Sequence, residues 1–94
     1  LVAADANFIT DKYFVPGSYA PIYDGLSNSG TLLAERKIVT DNRFFTQTEY
    51  YDNKADKIAV YIKDKSTGTE YKSYSKYDNK HRTIKTKDYH GMGI

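Results

Sequence analysis

The chain has 94 residues, enough for one small domain spanning residues 1–94 and too few for two. Hydrophobic residues make up 39% and charged residues 28%, which supplies one thin core but no deep enclosed active site. Fourteen basic against twelve acidic residues leave a formal charge of +2, a weak field for attracting nucleic acid or acidic lipid. Because there is no cysteine, disulfides and zinc-thiolate sites are excluded.

Both ends of the chain are predicted to be flexible, at residues 1–7 and 91–94. The first of them contains Ala4 and Ala6 at the small-residue spacing of a signal-peptide cleavage site. The end of a secretory leader, a linker and a first strand are the three interpretations that this segment leaves open. No run of roughly 20 apolar residues is present, so no membrane span is predicted.

Strand-forming residues dominate both halves of the chain, which has ten tyrosines and four phenylalanines. Phe8–Val15 is the first predicted strand, ended by a Pro-Gly-Ser turn, and Tyr19–Tyr23 is a short second one. The next element is Thr31–Val39. Its segment Leu32–Val39 suits a short helical turn as well as a strand.

The second half predicts an antiparallel meander of four strands, at residues 44–51, 57–63, 69–77 and 82–87. The clearest of them predicts a core face of Ile58, Val60 and Ile62 and a solvated face of Lys57, Ala59, Tyr61 and Lys63. In the last strand, alternating lysines suit the edge of a sheet. The predicted fold class is all-β, a small antiparallel barrel or sandwich.

The segment Ala20–Leu33 (APIYDGLSNSGTLL) resembles the opening of bacterial SH3-like domains, a short strand that enters a Ser/Gly-rich loop. Tyr50 and Tyr51, followed by the strand at 57–63, are similar to the paired-tyrosine strand of domains that anchor lactobacillal surface-layer proteins. The resemblance implies an SH3-like barrel that docks on peptidoglycan or on teichoic-acid-type polymers. A generic β-sandwich or an oligonucleotide-binding-type barrel is the alternative fold.

Catalytic motifs are absent from the sequence, which predicts that the protein is not an enzyme and holds no metal or cofactor. The two histidines, His81 and His90, have neither a metal-binding nor a triad spacing, and we interpret both as surface residues. Glu35, Glu49 and Glu70 are the carboxylates from which a glycosidase pair could be drawn. Acidic residues scattered over short strands ordinarily face solvent, so we favour a non-catalytic role.

Tyrosines interleaved with lysines form the candidate binding surface, above all in the run Tyr71–Tyr77 (YKSYSKY). A tyrosine ring offers an apolar face and a polar edge to a sugar, and a neighbouring lysine can hold a phosphate or carboxylate. Cross-strand packing is the competing explanation for the same tyrosines. The predicted ligand-binding residues are Tyr23, Tyr51, Tyr61, Tyr71, Lys72, Tyr74, Lys76, Tyr77 and Arg82.

Charge is distributed unevenly along the chain, and this favours an anionic partner for the second half. Residues 1–49 carry four basic and six acidic side chains, whereas residues 50–94 carry ten basic and six acidic ones. The first hypothesis is a secreted or cell-surface bacterial module that binds a cell-wall polysaccharide or a teichoic-acid-type polymer. A small secreted protein-binding factor (inhibitor, immunity-type protein or adhesin) and a single-strand nucleic-acid binder are the alternatives, the last disfavoured by the low net charge.

Overall fold

The computed structural model describes residues 8–14, 20–23 and 31–90 of the chain and shows an all-β protein. The flexible termini predicted at 1–7 and 91–94 lie outside these residues. The described strands are β1 (Phe8–Tyr13), β2 (Ala20–Tyr23), β3 (Thr31–Ala34), β4 (Arg36–Asp41), β5 (Phe45–Tyr51), β6 (Lys57–Asp64), β7 (Glu70–Tyr77) and β8 (Thr83–His90).

Six of these strands form one antiparallel sheet in the order β1-β4-β5-β6-β7-β8, and β2 pairs with β3 in a separate antiparallel hairpin. The predicted meander is confirmed, because β5 to β8 are sequential neighbours in the sheet. Within the part of the chain that the structure describes, β8 lies at the edge of the sheet, as predicted for the last strand. That strand is longer than predicted: β8 continues to His90 because its final residues pair with the beginning of β7.

The element predicted at Thr31–Val39 is two strands and contains no helical turn. The chain leaves the small hairpin at Ala34 and enters the large sheet at Arg36. Glu35 marks this corner, since its amide donates to the carbonyl of Tyr51 at 2.8 Å and its carbonyl accepts from the amide of Phe14 at 3.0 Å. These two backbone hydrogen bonds fix Glu35 at the point where the chain leaves the β2–β3 hairpin and enters the large sheet.

Two turns of the meander have the same hydrogen-bonding pattern. Both begin with the sequence Tyr-Asp-Asn-Lys, at residues 51–54 and 77–80. In each, the aspartate side chain accepts hydrogen bonds from two backbone amides of the loop, as Asp52 does from Lys54 and Asp56 at 2.8 and 3.0 Å. The register of each hairpin shifts just before the turn. The fourth loop residue has positive φ in both, 65° in Ala55 and 64° in His81.

The core lies where the β2–β3 hairpin packs on the middle of the large sheet. Ile22 and Ala34 of the hairpin cluster with Ile58, Ala59 and Tyr74 of β6 and β7, and Ala34 and Ala59 are only 0% and 1% exposed. The predicted division of β6 into a core face and a solvated face is therefore wrong. Alternation fails here because the register of β5 and β6 shifts at Ile58, and both Ile58 and Ala59 are buried in the cluster with the hairpin.

The large sheet extends well beyond this small core. The radius of gyration is 14.5 Å, compared with about 12 Å for a compact domain of this length. Among the described residues, the order of the strands runs from β1 to β8 with no pairing between these two edges. The closed barrel or two-layer sandwich therefore stays a prediction, whereas the all-β class is shown.

Candidate functional site

Three tyrosines on neighbouring strands form what we call the tyrosine cluster: Tyr50 of β5, Tyr61 of β6 and Tyr74 of β7. The ring of Tyr61 lies between the other two, with centroid distances of 5.3 Å to Tyr50 and 5.9 Å to Tyr74, both edge-to-face. The Tyr74 hydroxyl donates to the Tyr61 hydroxyl at 3.4 Å. Edge-to-face contact is the arrangement that aromatic quadrupoles favour, so the cluster stabilises the sheet beyond the area that it buries.

Burial raises the pKa of two members of the cluster, Tyr50 and Tyr61. It is the main cause that raises the pKa of Tyr61 far above the usual value of a tyrosine, and the hydrogen bond from Tyr74 adds to it. The pKa of Tyr50 is raised as well, again mainly by burial. These phenols therefore act as neutral packing and hydrogen-bonding groups rather than as bases.

The strand register brings five lysines onto the sheet face that carries the tyrosine cluster. Lys72 stands directly opposite Tyr61, Lys87 opposite Tyr74, and Lys76 opposite Lys85. Because side chains alternate along a strand, residues two positions apart share this face. We define the lysine face as Lys63, Lys72, Lys76, Lys85 and Lys87.

Positive charge is in clear excess on this face. Glu70, opposite Lys63, is the one carboxylate in the same rows of β6 to β8, so five lysines against one glutamate leave four net positive charges. Within the described part of the chain, neither Lys76 nor Lys85 has an ion-pair partner, although their strand positions face each other directly. Like charges in directly opposite positions destabilise a sheet, so this pair opposes folding.

An open groove of about 330 Å³ runs beside the tyrosine cluster on the same face. Tyr61 forms part of its wall, and the ammonium of Lys72 lies 5.1 Å from the centre of the Tyr61 ring. The remaining lining residues are Thr46, Thr48, Ile62, Lys63, Glu70 and Tyr71. The groove thus combines an aromatic ring, hydroxyl groups and cations, which are the groups that bind an anionic sugar or a phosphate-bearing polymer.

Tyr61, Lys72 and Lys76, predicted as ligand-binding residues, belong to this surface. Tyr71 lines the groove as well, but strand alternation places it on the opposite sheet face from Lys72. Tyr74 is only 5% exposed and lies in the core, so we remove it from the set of predicted ligand contacts. Its ring is buried because it packs between Tyr61 and the hairpin that covers the sheet.

The other predicted site residues lie away from the lysine face. Tyr77 packs against the core, and its hydroxyl donates to the carbonyl of Lys57 at 2.6 Å. Arg82 is held in the last turn by Asp78, with Nε 2.8 Å from the carboxylate. Both residues therefore have structural partners, and the surface that unites Lys72 with Lys76 does not include them.

Tyr51 lies on the opposite face of the sheet, near the start of β4. The guanidinium of Arg36 is stacked between the rings of Tyr13 and Tyr51, at 5.0 and 5.8 Å from their centres, and pairs with Asp11 at 2.6 Å. Burial is the main cause that raises the pKa of Tyr51. The side chain of Tyr23, the remaining predicted contact, lies outside the described part of the structure.

Lys63, Lys85 and Lys87 are the members of the surface that the sequence-based prediction did not include. The alternation of Lys85 and Lys87 was a visible signal, but it predicted only an edge strand. Their place beside Lys72 and Tyr74 depends on the register of β7 and β8 across the turn at residues 78–82. The five-residue loop and the register shift before Tyr77 set that register.

Comparisons with known protein families, with curated proteins and with solved structures find no match to this chain. Among the residues that the structure describes, no helix is long and apolar enough to cross a membrane. In the same residues, no group of three or more histidine and acidic side chains is arranged to hold a metal ion.

Proposed function

We propose that this chain is a non-catalytic module that binds an anionic polymer of the bacterial cell wall, with the lysine face as its binding surface. The observation that carries the proposal is the direct opposition of Lys76 and Lys85. This pair costs folding free energy, and proteins keep such local conflicts mainly where a function requires them. An anion placed between the two ammonium groups converts the repulsion into two attractive contacts.

The groove beside the lysine face supports a polymer that contains sugars or polyols as well as anions. The ring of Tyr61 offers an apolar patch next to the ammonium of Lys72, and Thr46 and Thr48 add hydroxyl groups. A ligand in this groove meets stacking, hydrogen-bonding and charged groups at once. A teichoic-acid-type polymer, with alternating phosphates and polyols or sugars, has this combination of groups.

The proposed location is secreted or at the bacterial cell surface. It rests on the resemblance of Ala20–Leu33 to SH3-like wall-binding domains. Of the segment that carries the resemblance, the structure describes residues 20–23 and 31–33, which belong to the β2–β3 hairpin. The SH3-like barrel is part of the same proposal.

Sedimentation with purified cell walls tests the proposal. The parent chain should bind intact walls, lose most of its binding when the teichoic acid is stripped, and bind more weakly as salt screens the lysines. The variant Lys76→Ala/Lys85→Ala should bind at least tenfold more weakly. Its matched control, Lys54→Ala/Lys80→Ala, removes the same charge from the two turns and should change binding less than twofold.

Two results would contradict this assignment. An equal loss in the two double variants would show that net charge, not the lysine face, causes binding. Undiminished binding to stripped walls would remove the anionic polymer as the ligand. Oligonucleotides added as competitors identify the remaining alternative, since displacement from walls by single-stranded DNA at equal phosphate concentration would favour a nucleic-acid binder.

A further inference from the structure

The outer edge of β1 is the most apolar open part of the sheet. Phe8, Ile9 and Tyr13 are 66%, 68% and 64% exposed, and every side chain of this strand faces solvent. Among the described residues, β1 pairs with β4 on one side and with no strand on the other. Its other side presents unpaired backbone donors and acceptors, which form a template for one more strand.

The opposite edge of the sheet, β8, is protected against such pairing. It carries Lys85 and Lys87, and charged residues, above all lysine, are the common protection of natural sheet edges. β1 has one acidic and one basic residue, Asp11 and Lys12, so its charges cancel. Two β8 strands therefore repel each other, whereas two β1 strands do not.

We infer that β1 pairs with β1 of a second copy of this chain, antiparallel and centred on Thr10, so that the two sheets join into one. In this register Phe8 of one copy stands opposite Lys12 of the other, and Ile9 stands opposite Asp11. An ammonium over an aromatic ring is attractive. Lys12 already adopts this arrangement within the chain, 5.9 Å from the ring of Phe14.

The neighbouring registers are less favourable, and one centred on Ile9 pairs only residues 8–10 of β1. A twofold axis perpendicular to the sheet keeps each face on its own side, so the register can change only by placing another residue opposite itself. Moving the axis to Asp11 puts two carboxylates opposite each other, and moving it to Lys12 puts two ammonium groups there. The register centred on Thr10 avoids both conflicts.

Pairing of two six-residue strands is a small interface, below the area that a stable dimer usually buries. We therefore expect a weak dimer, with a dissociation constant on the order of 0.1 mM. Each dimer carries two lysine faces, with their β7 strands nine strand spacings apart, about 43 Å along the joined sheet. The inference does not depend on the proposed polymer binding, since it concerns a different edge of the sheet.

A single introduced cysteine tests the edge and the register together, because the chain has no cysteine of its own. Thr10→Cys places one thiol on the proposed axis, opposite the same thiol of the second copy. Mild oxidation of the purified full chain should convert most of it to a disulfide-linked dimer. Thr86→Cys, at the corresponding exposed edge position of β8, is the matched control and should remain at least tenfold less cross-linked.

Sedimentation velocity of the unlinked chain at about 1 mM provides the second measurement, at a concentration well above the expected dissociation constant. The parent chain should be mainly dimeric, and Thr10→Lys should be monomeric with an unchanged circular dichroism spectrum. A monomeric parent chain overturns the inference. So does a dimer that Thr10→Lys leaves intact, or equal cross-linking of the two cysteine variants.

Discussion

The tyrosine cluster, on β5 to β7, and the lysine face, on β6 to β8, lie on one side of the same sheet, but they affect the fold in opposite ways. In the cluster, Tyr74 is buried and Tyr61 contacts its ring edge-to-face. Two residues further along the same strand, Lys76 faces Lys85 without a counter-ion among the described residues. The cluster stabilises the sheet, whereas the opposed lysines destabilise it and belong to the surface that we propose as the binding site.

The largest expected effect is that of removing the buried ring. Tyr74→Ala should lower the free energy of unfolding by about 3–5 kcal/mol, because it deletes a large buried side chain and leaves a cavity under the hairpin. Chemical denaturation monitored by circular dichroism measures this loss. Tyr74→Phe is the matched control: it keeps the ring and removes the hydroxyl, whose hydrogen bond to Tyr61 is long at 3.4 Å, so it should cost less than about 1.5 kcal/mol. A small loss in the alanine variant would contradict the assignment of Tyr74 to the core.

The opposite sign is expected one position further along the same face. Lys76→Glu replaces a repulsive cross-strand pair with an attractive one, and should raise the free energy of unfolding by about 0.2–1 kcal/mol. The same variant should bind cell walls more weakly than the parent. Lys54→Glu, in an exposed turn with no opposite strand residue, is the control and should leave stability nearly unchanged. A destabilised Lys76→Glu variant would mean that the two lysines do not repel each other in the folded sheet.

The smallest effect is on the free energy of unfolding at alkaline pH, and it tests the tyrosine cluster separately from the lysine face. Because the pKa of Tyr61 is higher in the folded chain than the usual value of 10.0, the folded state keeps its proton where the unfolded state loses it. Stability is therefore fully present below about pH 10 and falls as the pH rises further. Denaturant titrations at a series of pH values measure this slope, and Tyr61→Phe should reduce it. An unchanged slope would show that Tyr61 is not the titrating group.

The strands of the meander were predictable because their pattern is local. Alternation and turn residues predicted all four strands, and their ends differ from the structure by one residue except where β8 continues to His90. What was not predictable depends on residues far apart in the sequence. The burial of Ala59 and Tyr74 requires a hairpin that begins at Ala20, and alternation within one strand does not reveal that cover.

The candidate site shows the same division between local and long-range information. Lys72 and Lys76 were predicted from their own tyrosine-rich segment, whereas Lys85 and Lys87 join them only through the pairing of β7 with β8. A one-residue change in that register would place the two lysines on the other face. The repeated Tyr-Asp-Asn-Lys turn is visible in the sequence, and it is the element from which this register could have been derived.

The strand order also affects the sequence in which the strands pair during folding. Neighbours in the meander are joined by the short loops 42–44, 52–56, 65–69 and 78–82, whereas β1 reaches β4 only across residues 14–35. Closing a long loop costs more conformational entropy, so local hairpins form before distant strands pair. We therefore expect β1 to pair with β4 after the hairpins of the meander have formed, so that the apolar edge with Phe8 and Ile9 is completed late in folding.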